Sequence, residues 1–172
     1  MTVREILQLG NPQLYKTSEN VTTSDLVRIP QIVQDLHDTM MSFRRKYGAG
    51  RAIAAPQIGV MKRIIYMHID APVVFLNPNL KNLSDAMIEI WDDCMCFPDL
   101  LVKVSRHKRC KIEYRDEAWN LRSMDLEDSL SELLQHEYDH LNGVLAVMRA
   151  IDGKSFACKD QKQFLGHKTQ RA

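Results

Sequence analysis

At 172 residues the chain is long enough for one domain with a sizeable core, and short for two. Its composition, 45% hydrophobic and 26% charged, excludes a low-complexity or disordered polymer. A net charge of +1 gives no field to steer nucleic acid or an anionic membrane, and no apolar run approaches the roughly 20 residues of a membrane span, so neither partner is expected.

The start, Met1-Thr2-Val3-Arg4-Glu5, lacks an apolar signal core, and a cytoplasmic location is the expectation. Residues 1–22 read as irregular, with turn residues at Gly10-Asn11-Pro12. A helix is predicted from Ser24 to Tyr47, because Ile29, Ile32, Val33, Leu36, Met40, Phe43 and Tyr47 recur at three- and four-residue steps. Pro30 marks its first turn or a break, and Gly48 its stop. The basic run Arg44-Arg45-Lys46 reads as a solvated helix end. After a Gly/Ala/Pro loop come short strands at 63–69, 73–76, 87–91, 101–104, 109–114 and 121–126. They lie too close together for crossover helices, so the sheets are expected to be mostly antiparallel and the fold α+β. A second helix is predicted over 127–142, with Gly143 as its end. The tail after Gly153 is polar and basic and carries no readable pattern, so residues 1–172 are taken as a single domain with an unassigned end.

Within the second helix stands His136-Glu137-Tyr138-Asp139-His140, an H-E-x-x-H pattern. Histidines at i and i+4 share one helical face and can reach a single metal ion, with Glu137 placed to handle the proton of a water there. Two histidines leave a tetrahedral ion short of a ligand. Asp152 and His167 are possible thirds without support from spacing, and the upstream segment Trp91-Asp92-Asp93-Cys94-Met95-Cys96-Phe97-Pro98 offers a better one, a thiolate. The four cysteines, Cys94, Cys96, Cys110 and Cys158, are too unevenly spaced for a disulfide framework. His37, His68 and His107 read as isolated surface residues.

Three blocks resemble, in order, those of the peptide deformylases. Gly50-Arg51-Ala52-Ile53-Ala54-Ala55-Pro56-Gln57 is similar to G-x-G-L-A-A-P-Q, Asp93-Cys94-Met95-Cys96 to E-G-C-L-S, and Gln135-His136-Glu137-Tyr138-Asp139-His140-Leu141-Asn142-Gly143 to Q-H-E-x-D-H-L-x-G. The resemblance covers roughly residues 4–150 and implies antiparallel sheets packed around a central H-E-x-x-H helix. It implies one divalent ion, Fe²⁺ foremost with Zn²⁺, Ni²⁺ or Co²⁺ accepted, held by Cys94, His136 and His140. It also implies hydrolysis of the N-terminal formyl group of nascent polypeptides, starting with N-formylmethionine, to release formate. Glu137 would be base and then acid, and Gln57 and the Met95 backbone N–H would stabilise the oxyanion. Asp92 and Arg106 would form an ion pair that steadies the cysteine segment. The substrate would add as a strand along Arg51, Ala52 and Ile53, its first side chain near Ile90 and Leu133. A transient ribosome contact would suit such an enzyme.

The sequence departs from the family pattern at several positions. Asp93 and Ala52 replace glycines, and Cys96 replaces a serine. In an extended segment Cys96 would point to the same side as Cys94, as a rival ligand or a small buried thiol. Arg51 and Glu132 stand where the family places apolar residues and are expected to pair, making the pocket more polar. Two other readings follow: an amidase of the same type acting on a different N-acyl or N-formyl amine, and a metal-binding relative without catalysis.

Overall fold

Pro30 sets the start of the first helix. Having no N–H to donate, it fits only the first turn, and helix α1 runs Ile29–Tyr47 rather than from Ser24. The residues ahead of it, Thr23–Arg28, wind as a 3-10 turn closed by the Thr22 N–H on Asp25 Oδ2 at 2.8 Å. The helix ends as predicted at Gly48, whose φ of +64° is the left-handed stop, with its N–H on the Arg44 carbonyl at 2.9 Å. Arg44 is not solvated as expected. Its Nε donates to the Gly50 carbonyl at 2.8 Å and its Nη2 to the His68 carbonyl, which ties down the loop after the helix. The computed structural model describes residues 2–165. His167, one of the possible third ligands, and the last basic residues lie outside that range.

Eight strands follow among the described residues: β1 Ala52–Ala54, β2 Ile64–His68, β3 Pro72–Lys81, β4 Met87–Cys94, β5 Phe97–His107, β6 Arg109–Arg115, β7 Leu121–Glu127 and β8 Phe156–Cys158. All pair antiparallel, in a five-stranded sheet of order β1-β2-β3-β6-β7 and a three-stranded sheet of order β4-β5-β8. Helix α2, Asp128–Leu141, lies between β7 and β8 in the chain. The fold is α+β, as expected. β1 was missed because Ala-Ile-Ala in a Gly/Ala/Pro stretch lacks the branched and aromatic residues that mark strands. β8 is three residues long and gains its place only by pairing with Leu100–Val102 of β5.

The core has three parts. Leu133, Leu134 and Leu141 of α2 pack on Ile65, Phe75, Ile112 and Leu126 of the larger sheet. Leu36 and Met40 of α1 pack on Ile53, Ile64 and Tyr66. Leu14, Phe97, Val102, Val104 and Leu145 fill the space at the smaller sheet. Alternation on β1 sends Ala52 and Ala54 toward α2 and Ile53 toward α1. No helix among the described residues is long and apolar enough to cross a membrane.

Candidate active site

The buried face of α2 carries His136, Glu137 and His140. Their spacing does what the period promised: His136 Nε2 and His140 Nε2 are 3.2 Å apart. Cys94 Sγ comes from the end of β4 and stands 3.3 Å from His140 Nε2. One donor atom each from Cys94, His136 and His140 lie within 4.8 Å of one another. Such a cluster fits a first-row divalent ion, whose bonds to nitrogen and sulfur run about 2.0–2.3 Å. Cys94 holds its position because Met95 and Cys96 turn the chain tightly, so that Cys94 pairs with Phe97 of β5. The segment is therefore a turn, not the extended stretch expected. Cys96 is buried at that turn with its N–H toward Cys94 Sγ at 3.4 Å, outside the ligand cluster. Asp152 is also outside it, held by Ser155 and the Lys154 N–H.

Protonation is set by burial and one carboxylate. His136 Nδ1–H donates to Asp92 Oδ2 at 2.9 Å, which leaves Nε2 facing the cluster. Burial alone would depress the His136 pKa, but Asp92 outweighs it and holds the ring up to about 9. Burial, then His136, pushes His140 well down, so it stays neutral. Burial, then Cys96, pushes the Cys94 thiol well up, and an ion would have to strip its proton. Asp92 is lowered to about 2, because His136 and Arg106 overcome its burial. The expected Asp92–Arg106 pair is present at 3.2 Å, and it is larger than expected. Arg106 also binds Asp139, which Arg149 Nη2 meets from the other side at 2.8 Å. Asp139 in the pentad was the available signal for that contact.

Glu137 is 3% exposed, and its Oε2 has no hydrogen-bond partner among the described residues. Burial, against the pull of His136, raises its carboxyl to about 7. Gln57 faces the cluster from the turn after β1. Its Oε1 takes the Ala54 N–H at 2.7 Å, which points Nε2 toward Cys94 Sγ at 3.7 Å and Cys96 Sγ at 3.6 Å.

A cavity of about 230 Å³ joins these groups. Cys94, Met95, His136, Glu137 and Gln57 line it together with Arg51, Ala52 and Leu133. Ile53 and Ile90 do not: Ile53 is fully buried on the α1 face of β1, and Ile90 packs against the Val102 and Val104 cluster. Arg51 and Glu132 form the expected pair at 2.6 Å, and both line the cavity. Asp93 has no left-handed backbone angle, so the backbone conformation there does not require glycine. It meets Lys159 Nζ at 3.8 Å, a lining residue from the tail to which no motif pointed. His37 and His68 are not isolated: both Nδ1 atoms contact the buried Tyr66 hydroxyl, at 2.7 and 3.3 Å.

The family model described as polypeptide deformylase matches residues 3–156. Peptide deformylase 1 of Prochlorococcus marinus is 35% identical over 182 residues, spanning 96% of this chain and 90% of its own. The crystal structure of a Thermotoga maritima peptide deformylase aligns with a TM-score of 0.81 at 29% identity, over 88% of this chain and 100% of that one. An Acinetobacter baumannii class I type b peptide deformylase bound to Met-Ala-Ser aligns with a TM-score of 0.79 at 26% identity, over 86% and 98%. With that agreement along almost its whole length, the chain belongs to the polypeptide deformylase family and is a hydrolase of that type.

Proposed function

We propose that the chain hydrolyses the formyl amide at the N-terminus of nascent peptides, releasing formate, with Glu137 as its proton carrier. One observation carries this reading. A buried carboxyl poised at about 7 shares a cavity with three convergent ligand atoms and an oriented amide donor. A divalent ion on Cys94, His136 and His140, with Fe²⁺ the first choice, supplies Lewis acidity and an activated water when bound.

The chain's own groups do the rest. Glu137 takes a proton from the attacking water as the new C–O bond forms. It returns a proton to the leaving nitrogen as the C–N bond breaks, so the carboxylate is regenerated. The Gln57 amide and the Met95 backbone N–H donate to the formyl oxygen as it becomes negative, each donor worth about 3 kcal/mol of barrier. β1 ends the larger sheet, so an extended peptide can pair with it beside Arg51 and Ala52. Action on nascent chains implies the cytoplasm and a transient meeting with the ribosome.

The Arg51–Glu132 pair in the cavity favours a second reading, a related amidase with another N-acyl or N-formyl amine as substrate. A binding-only relative would need neither Glu137 nor Gln57. Anaerobic loading with Fe²⁺ or Ni²⁺, followed by assay of formate from formyl-Met-Ala-Ser, tests the proposal. Release that follows metal content is expected, and a fully loaded protein that releases none ends the reading.

A further inference from the structure

We propose that Cys94 and Cys96 form a reversible oxidation site: a hydroperoxide that enters the cavity oxidises Cys94, Cys96 closes a disulfide with it, and the metal site is lost until the bond is reduced. The inference rests on Cys94 as a metal ligand and is independent of the substrate.

The turn after β4 builds the pair. Two residues of extended strand span about 6.8 Å, the far limit of the roughly 4.4–6.8 Å between α-carbons that disulfides bridge. Met95 and Cys96 instead form the turn that lets Cys94 pair with Phe97, and a turn draws its ends closer than a strand does. The Cys96 N–H reaches Cys94 Sγ at 3.4 Å. One amide nitrogen, Gln57 Nε2, stands 3.7 Å from Cys94 Sγ and 3.6 Å from Cys96 Sγ, so both sulfurs lie on the same side of the turn. Access separates them. Cys94 lines the cavity of about 230 Å³, whereas Cys96 does not line it and is 1% exposed. An oxidant therefore meets Cys94 first, and Cys96 is the thiol that follows. Cys110 is buried against Ser131 Oγ and Cys158 is exposed on β8, and neither lines the cavity.

The chemistry closes on these two side chains and the hydroperoxide. The Cys94 sulfur attacks the O–O bond; an S–O bond forms, the O–O bond breaks, and an alcohol (water, from hydrogen peroxide) leaves with the thiol proton, giving a sulfenic acid. The Cys96 sulfur then attacks Cys94 Sγ; the S–S bond forms, the S–O bond breaks, and water leaves with the Cys96 proton. The two thiols together lose two electrons, and the hydroperoxide gains them. A disulfide sulfur has no thiolate to offer, so the ion keeps only His136 and His140 and is released. A serine at 96, as in the family pattern, offers no sulfur for the second step. Cys94 would then pass on to sulfinic and sulfonic acid, which thiols do not reverse. Cys96 thus makes the loss of the metal site recoverable.

The test exposes the zinc-loaded chain, carrying Cys158→Ser to remove the exposed thiol, to excess hydrogen peroxide. Zinc has no redox chemistry of its own and starts no metal-driven oxidation. Freed zinc is read with a colorimetric chelator, thiols are counted, and peptide masses locate the change. About one zinc should be freed for every two thiols lost, with a mass loss of about 2 Da confined to the peptide holding Cys94 and Cys96. Dithiothreitol and fresh zinc should restore both thiols and metal. With Cys96→Ser added, zinc should still be lost, Cys94 should gain oxygen atoms, and dithiothreitol should not restore binding. Oxygen gained on Cys94 while Cys96 is present, a bond that uses Cys110 instead, or thiols that peroxide leaves intact overturns the proposal. A Cys94–Cys96 disulfide that forms without freeing zinc, or a chain that takes up no zinc, refutes Cys94 as ligand and the proposal with it. Should the Cys96→Ser chain not fold, the mass loss and its reversal in the Cys158→Ser chain decide alone.

Discussion

Glu137 and His136 carry opposite proton tasks: burial raises the Glu137 carboxyl, and Asp92 raises the His136 ring against its burial. With its carboxyl raised to about 7, Glu137 can both accept and release a proton near neutral pH. Glu137→Gln keeps the shape and loses the proton site. Metal content measured by elemental analysis should be unchanged, and formate release should fall about 10²- to 10⁴-fold. Retained turnover would remove Glu137 from the chemistry. His136 is held up to about 9 by Asp92, so below that pH an incoming ion must displace its proton as well as the Cys94 proton. Metal affinity should therefore rise with pH from 6 toward 9. Uptake at pH 7 should release one proton each from His136 and Cys94 and a fraction of one from Glu137, read by calorimetry in buffers of different ionisation heat. Asp92→Asn removes what holds the His136 proton, and the count should drop by about one. At this scale the sequence was informative where the geometry was local: H-E-x-x-H implied a shared face from spacing alone. Cys94 lies 42 residues or more upstream, and no spacing rule links it to the helix, so thiolate chemistry pointed to its segment and only the family resemblance chose Cys94 within it. The Arg51–Glu132 pair was legible as two charges at positions that require burial.

Turns at the two helix ends set where the site's elements lie, and glycine matters at both for different reasons. Gly143 ends α2 with φ +70°, and a Cβ there would stand 2.5 Å from the Tyr15 carbonyl oxygen. Gly48 ends α1 with φ +64°, and a Cβ there would meet nothing within 4 Å. Gly48→Ala should cost only the left-handed backbone penalty, about 1–2 kcal/mol. Gly143→Ala adds a backbone clash that cannot relax by a side-chain rotation, and about 3–4 kcal/mol in total is expected. Urea unfolding of both variants checks the difference; equal losses would mean that the Tyr15 segment yields freely. Both stops were readable because glycine after a periodic run is a local signal. β1 and β8 were not, because three residues carry no period and tertiary pairing alone makes them strands.

Short spacing between strands disclosed antiparallel pairing, yet not the division into two sheets, since which edges meet depends on packing far along the chain. That division matters for the site. Cys94 belongs to the smaller sheet, and His136 and His140 to a helix packed on the larger one. Arg106 of β5 is the joint: it reaches Asp92 on β4 and Asp139 on α2, and all three are buried. Arg149 also meets Asp139, from an exposed position that water screens. Arg106→Leu would leave Asp92 and Asp139 buried with their main cation gone, at a cost of about 3–5 kcal/mol. It should also free the cysteine turn from the helix and weaken metal binding. Arg106→Lys keeps the charge and loses the planar fork that spans two carboxylates. This variant should fold close to wild-type stability and still bind metal more weakly. Urea unfolding and metal competition against a chelator measure the two effects separately. If Arg106→Lys matches the wild type in both, the guanidinium geometry is dispensable. If Arg106→Leu lowers stability yet leaves metal affinity intact, the ligands are held by their own elements and Arg106 only neutralises the buried acids.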